Sequence, residues 1–156
     1  MDITIRKATK SDLETIQQLN KEVFLASNAY DLHLNMNWPY STEGVTYYKK
    51  TIEQEEYFCQ IAELDGKPVG YLIGLINNYS YRVNKTGEIE NMGVSPSFRG
   101  KGIGSQLVSS FKKWCKERQV DFVRVSTYFE NPKAIEFYKK QGLLPIDVVL
   151  EGRIEE

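Results

Sequence analysis

The stretch Val94-Ser95-Pro96-Ser97-Phe98-Arg99-Gly100-Lys101-Gly102-Ile103-Gly104-Ser105 decides the fold of this chain. A strand-like pattern precedes it and the pattern of an amphipathic helix follows it. Its alternating glycines therefore fall in the turn between a strand and a helix. The first N–H groups of a helix lack internal partners and carry positive partial charge. Glycines let a phosphate approach those donors, and Arg99 and Lys101 add formal charge. The stretch therefore predicts a site for a phosphate-bearing ligand.

The spacing of these glycines argues against two common phosphate loops. They follow the pattern G-x-G-x-G, whereas the dinucleotide fingerprint is G-x-G-x-x-G. A Walker A loop would place Ser or Thr after its lysine, but Gly102 follows Lys101. For this segment alone, a tight strand-to-helix turn without a ligand remains the alternative.

Hydrophobic periodicity predicts the elements around the turn. Upstream we expect a strand from Ile3, a helix opened by a capping box at Ser11–Glu14 and ending near Ser27, an irregular segment 28–42, a weaker helix 43–55, and strands 57–63, 68–76 and 88–94. Asp65-Gly66 predicts a tight hairpin, and Gly93 predicts a bulge or a close backbone approach. Downstream we expect a helix from Ile103 to about Gln119, a strand 122–126, a helix 131–141 and a last strand 143–150.

Length and composition fit one globular domain spanning residues 1–156, with a mixed α/β sheet. The chain is 41% apolar and 26% charged, with no repeat or linker. Lys plus Arg number 20 against 21 for Asp plus Glu, so neither nucleic acid nor a membrane is an expected partner. The strand pattern at the N-terminus, the absence of a long apolar run and the two unpatterned cysteines suggest a cytoplasmic protein without a metal.

Two motifs in order give the chain a resemblance to the GNAT superfamily of N-acetyltransferases over nearly its whole length. That family's acetyl-CoA signature, Arg/Gln-x-x-Gly-x-Gly/Ala, is satisfied by Arg99–Gly104, and residues 131–142 (NPKAIEFYKKQG) are similar to its later helix motif. The resemblance implies an α/β acyl-CoA N-acyltransferase fold, in which about four helices flank a mixed, mostly antiparallel sheet. It also implies transfer of an acetyl group from acetyl-CoA to a primary amine through a tetrahedral intermediate, without an acyl-enzyme.

The resemblance also assigns the donor-binding residues. Backbone N–H groups of the turn would hold the pyrophosphate, and the main chain around Gly93 would pair with the pantetheine arm. Asn131 would bind the pantetheine side of the cosubstrate. The full set is Met92, Gly93, Val94, Arg99, Gly100, Lys101, Gly102, Ile103, Gly104, Ser105, Asn131, Ala134, Phe137 and Tyr138.

Three residues are candidates for proton transfer. Tyr138 would protonate the departing thiolate, although a core aromatic on a helix is the alternative. Glu88 and Glu90 lie two apart on one strand and therefore on one face. Either carboxylate could take the proton of the acceptor amine, as could a water relay, or both could be polar residues on a solvated face.

The acceptor side is the less determined half of the site. Tyr30, His33, Trp38 and Tyr79 fall in segments that form the acceptor wall in the family, and aromatic rings could hold a cationic amine. They could equally pack loops against the sheet. The acceptor could be a small amine, a polyamine or a peptide Lys or N-terminus, and a homodimer is possible. A non-catalytic acetyl-CoA-binding module is the alternative function.

Overall fold

The computed structural model describes residues 1–155. The chain forms two compact units, Met1–Ser126 and a smaller one that begins at Thr127. Within the described residues, no helix is long and apolar enough to cross a bilayer.

A five-stranded sheet forms the centre of the first unit, in the order β1-β2-β3-β4-β5. Neighbours are antiparallel except β4 and β5, which are parallel, so the predicted mixed, mostly antiparallel sheet is confirmed. Asp65 and Gly66 both have positive φ, 50° and 81°, as the predicted tight hairpin between β2 and β3 requires. The strands are β1 (Ile3–Lys7), β2 (Tyr57–Leu64), β3 (Lys67–Asn77), β4 (Thr86–Val94) and β5 (Phe122–Val125).

Helices cover both faces of this sheet. Helices α1 (Leu13–Ser27) and α2 (Thr42–Glu53) pack on the face that carries Tyr71 and Ile73 of β3. Helix α3 (Ile103–Glu117) packs on the opposite face, where a Cβ at Gly74 would strike the Phe111 ring. Cys59 and Cys115 are 5% and 1% exposed and unpaired, as expected of core residues.

The start of α1 differs from the expected capping box at Ser11–Glu14. A 3-10 turn, Lys10–Asp12, precedes the helix, and the Thr9 N–H donates to Asp12 Oδ2 at 2.7 Å. Arg6 of β1 contacts both carboxylate oxygens of Asp12 at 2.8 Å. Asp12 is therefore the capping acid, because the ion pair with β1 fixes it there.

The predicted last strand, residues 143–150, is wrong. The described residues after Gln141 form neither helix nor strand. Leu144, Ile146, Val148 and Leu150 are 77%, 69%, 55% and 90% exposed. Their spacing of two residues has strand periodicity, but a strand also needs a hydrogen-bonded neighbour, and the described sheet ends at β5.

Candidate active site

The turn Arg99–Gly104, called the glycine turn below, contains a backbone conformation that residues other than glycine rarely adopt. Gly100 and Gly102 have φ of 76° and 82°, and a Cβ at either would meet no atom within 4 Å. Glycine is thus required by conformation at these positions, and space remains open around the turn. The Gln106 N–H donates to the Gly102 carbonyl at 3.1 Å, which leaves the N–H groups of Ile103 and Gly104 in the first helical turn without an acceptor inside the helix.

The two basic side chains of the turn are exposed. Arg99 Nε donates to the Val94 carbonyl at 3.0 Å, so this side chain folds back onto the end of β4. Lys101 lies between the two left-handed glycines. Their positive charges stand beside the helix start, where an anion would benefit from both.

Strand β5 ends halfway along β4. Their pairing runs from Thr86↔Phe122 to Ile89↔Val125, whereas β4 itself continues to Val94. The opposite edge of β4 stays paired with β3 up to Val94↔Gly70. Beyond Ile89, the edge of β4 that faces away from β3 is therefore not used by the described sheet, and it leads directly into the glycine turn.

The bulge predicted at Gly93 lies instead at Glu90. Strand β3 pairs Ile73 with Asn91 and Gly74 with Ile89, so Glu90 is the extra residue. Gly93 pairs regularly with Tyr71, and a Cβ there would clash with the Val23 side chain of α1. The alternative reason for Gly93, a close approach, is the one that the structure supports.

Both carboxylates of β4 lie on the face covered by α1 and α2. A Cβ at Gly87 would clash with Cys115 of α3, so the next residue, Glu88, points to the other face. Glu90 accepts a hydrogen bond from the Tyr47 hydroxyl of α2, with 3.0 Å between Tyr47 OH and Glu90 Oε1.

Glu88 has different hydrogen-bond partners. Its Oε2 accepts from Asn77 Nδ2 and from the Tyr79 hydroxyl, both of which belong to the end of β3 and the connection to β4. The Arg124 guanidinium lies 5.2 Å from the centre of the Tyr79 ring. Sequence reasoning missed Tyr47 and Asn77, because their role depends on pairing across elements.

The four predicted acceptor-wall residues fall into two groups. Trp38 and Tyr79 lie near the two carboxylates. The Trp38 ring centre lies 5.7 Å from that of Tyr47, which binds Glu90, and the Tyr79 hydroxyl donates to Glu88. Trp38 also stacks on Phe24 at 6.0 Å, so it belongs partly to the core. Tyr30 and His33 are exposed in the segment after α1.

The hydroxyl groups of two tyrosines remain protonated hydrogen-bond donors at neutral pH. Burial, with Glu90 as the second cause, raises the pKa of Tyr47. The hydrogen bond to Glu88 raises the pKa of Tyr79. Each hydroxyl therefore keeps its proton and holds a neighbouring carboxylate oxygen.

The second unit contains helix α4 (Pro132–Lys140), close to its predicted bounds. Asn131 caps it, since its Oδ1 accepts from the Ala134 N–H at 3.2 Å. The rings of Phe137 and Tyr138 meet edge to face at 5.0 Å. Burial raises the pKa of Tyr138 to about 12, so this phenol is protonated at neutral pH.

Comparison with known proteins supports the geometry. The model of the Acetyltransferase (GNAT) family matches residues 15–143. The chain belongs to the GNAT acetyltransferase family. Membership confirms the predicted class of enzyme, an N-acetyltransferase that uses acetyl-CoA, and leaves the acceptor open.

Relatives of this acetyltransferase carry names of the same class. An uncharacterized N-acetyltransferase of Methanocaldococcus jannaschii is 32% identical over 94% of the chain, which spans 62% of that relative's length. A streptothricin acetyltransferase of Escherichia coli is 30% identical over 76% of the chain and 69% of its own length. The aminoglycoside N-acetyltransferase AAC(6′)-Iy, solved with a CoA bisubstrate analog, has a TM-score of 0.76 at 19% identity, with 99% of each chain covered. This last likeness confirms the fold.

Proposed function

We propose that this enzyme binds acetyl-CoA along the edge of β4 beyond Ile89 and at the glycine turn, and transfers its acetyl group directly to a primary amine. The observation that carries the proposal is that the pairing of β4 with β5 ends at Ile89, whereas β4 continues to Val94 and leads into the turn. An extended pantetheine arm fits the edge of a strand that continues beyond its neighbour in the sheet. A pyrophosphate fits the first turn of α3, beside Arg99 and Lys101.

The cosubstrate supplies an activated acetyl thioester, and the protein supplies binding and proton transfer. The amine must lose its proton before its lone pair can form the new C–N bond, and Glu88, Glu90 or a bound water would accept that proton. As the C–S bond breaks, Tyr138 would protonate the sulfur. Its raised pKa of about 12 keeps this proton in place at neutral pH.

The acceptor that suits the site best is a cationic primary amine. Two carboxylates share one face of β4, and aromatic rings stand beside each of them. Carboxylates attract ammonium groups, and ring faces add cation–π attraction. Trp38 and Tyr79 are the first candidates for the wall of this site, with Tyr30 and His33 on the exposed segment as the further ones.

We further propose that residues 1–156 form one functional domain and that the reaction uses no metal. We also propose that the protein is a cytoplasmic homodimer with neither nucleic acid nor a membrane as partner.

Separate assays of binding and turnover test the mechanism. We expect Tyr138→Phe to lower turnover in a thiol-release assay far more than it lowers acetyl-CoA affinity in a calorimetric titration. Equal turnover of the variant and the wild type would remove Tyr138 from the role of acid. Binding of acetyl-CoA without turnover of any amine would favour the non-catalytic module.

A further inference from the structure

The two carboxylates of β4 are held in different ways, and this difference separates their roles. We propose that Glu90 is the carboxylate that meets the acceptor amine, that Tyr47 is its positioning residue, and that Glu88 anchors the connection between β3 and β4. The inference rests on the proposed function, since it assigns residues to the acceptor half of the same reaction.

Glu88 is already engaged within its own strand pair. Asn77 and Tyr79 both donate to the same oxygen, Oε2. Arg124, which pairs with Glu88 across β4 and β5, places its guanidinium 5.2 Å from the Tyr79 ring centre. Glu88 is half-buried and receives two donors, whereas Glu90 is exposed and receives one, so the contacts of Glu88 suit an anchor of residues 78–85 better than a base.

Glu90 occupies the opposite situation. It is the bulged residue of β4, it is exposed, and it follows the last residue of β4 that pairs with β5. The Tyr47 hydroxyl holds Oε1 at 3.0 Å, and Oε2 is the oxygen left to meet an ammonium group. The carboxylate therefore stands where β4 continues beyond its pairing with β5.

Tyr47 is itself held firmly by its neighbours. Its ring lies 5.7 Å from both Trp38 and Tyr48 and packs against the core. Burial raises the pKa of its hydroxyl, which keeps it a donor to Glu90. A packed ring with a persistent donor restricts the rotamers of an otherwise mobile glutamate.

A buried amide network fixes the bulge next to Glu90. The carboxamides of Asn91 and Asn20 bind each other through two hydrogen bonds of 2.9 and 3.2 Å. Tyr71 donates to Asn91 Oδ1 at 2.6 Å, and Tyr48 donates to Asn20. These hydrogen bonds tie strand β4 to α1, α2 and β3 at the residue beside Glu90. They therefore fix the backbone from which the exposed Glu90 side chain extends.

A double-mutant cycle tests the assignment. We would measure kcat/KM for an accepted amine with Tyr47→Phe, Glu90→Gln and the double variant, with thermal unfolding of each. Loss of a general base typically costs about 100-fold or more, and we expect this from Glu90→Gln. Tyr47→Phe should cost about tenfold, since one hydrogen bond to a charged group is lost. In the Glu90→Gln background it should have almost no further effect, because Tyr47 acts through Glu90.

The controls separate positioning from folding. Tyr40→Phe removes a hydroxyl from an exposed side chain of the 3-10 turn Trp38–Tyr40 and should leave kcat/KM unchanged. If Tyr47→Phe lowered kcat/KM by the same factor in the wild type and in the Glu90→Gln variant, Tyr47 would not act through Glu90, and the positioning role would be overturned. A greater loss from Glu88→Gln than from Glu90→Gln would overturn the choice of carboxylate. A wild type that acetylates no amine would overturn the proposed function itself.

Discussion

At the scale of single residues, glycines of the candidate site serve two different physical needs. Gly102 has a left-handed backbone in open space, so its conformation is what excludes other residues. Gly93 has an ordinary strand conformation, but α1 passes too close for a side chain. The sequence pattern predicted the first need, because glycines before a helix are a local signal. The second depends on packing, which no local pattern contains.

Gly66 provides a matched control for Gly102. Its φ is 81° against 82°, and at both positions a Cβ would meet no atom within 4 Å. We expect Gly66→Ala and Gly102→Ala each to lower the free energy of unfolding by about 1–2 kcal/mol, the cost of a left-handed non-glycine residue. Only Gly102→Ala should weaken acetyl-CoA binding, by about tenfold. Urea unfolding and calorimetric titration measure the two quantities, and equal affinity of both variants would contradict a phosphate site at the turn.

The residues missed from the sequence share one property. Tyr47 and Asn77 act through hydrogen bonds to residues more than ten positions away in the chain. A tyrosine in a polar helix and an asparagine at the end of a strand have no motif that marks them. Glu88 and Glu90 were found because their spacing on one strand is a local pattern, whereas their different partners could be seen only in the fold.

At the scale of elements, β4 combines three features that create the site. It carries the bulge at Glu90, it continues beyond the end of β5 after Ile89, and it leads into the glycine turn. Periodicity predicted the strand and the turn. It misplaced the bulge, because an extra residue in one strand is defined only by the register of its partner.

The contact between β4 and α1 at Gly93 gives a prediction for this element. Gly93→Ala would place a methyl group against Val23, so we expect a loss of about 1–3 kcal/mol in the free energy of unfolding. Combining it with Val23→Ala should relieve part of this loss, and the double variant should be more stable than the sum of the single effects predicts. Denaturant titration of the four proteins measures the coupling. Strict additivity would mean that the helix and strand do not meet at this point.

Helix ends and chain ends were less predictable than the elements themselves. The capping box at Ser11–Glu14 fitted the sequence motif, but Arg6 fixes Asp12 as the acid. Residues 143–150 alternate like a strand and form none. In both cases another element decides the outcome, through the ion pair with β1 in the first case and through the lack of a paired strand among the described residues in the second.

At the scale of the whole molecule, the exposed apolar side chains after Gln141 bear on assembly. Leu144, Ile146, Val148 and Leu150 recur every second residue, and each is at least 55% exposed. Such a segment can add to a sheet edge, and β5 is the end strand of the described sheet. A second copy of the chain would offer the same segment and the same edge, which is the basis for the proposed homodimer.

Light scattering coupled to size exclusion tests this assembly. We expect the wild type to elute as a dimer and Ile146→Asp to shift it to a monomer, because the charge falls on the alternating apolar side. In an extended segment Val149 lies on the other side, so the Val149→Asp variant should remain dimeric. A monomeric wild type at every soluble concentration, or equal behaviour of the two variants, would contradict the proposal.

The proposed reaction of this member of the GNAT family is acetylation of an amine with acetyl-CoA bound at β4 and the glycine turn. The most direct measurement is release of free CoA thiol by the purified protein with a panel of small amines, polyamines and peptides, with mass spectrometry of the acceptor. We expect thiol release that depends on a cationic amine, with one acetyl group gained for each thiol freed. Acetyl-CoA that binds but is never consumed, or that does not bind at all, would contradict it.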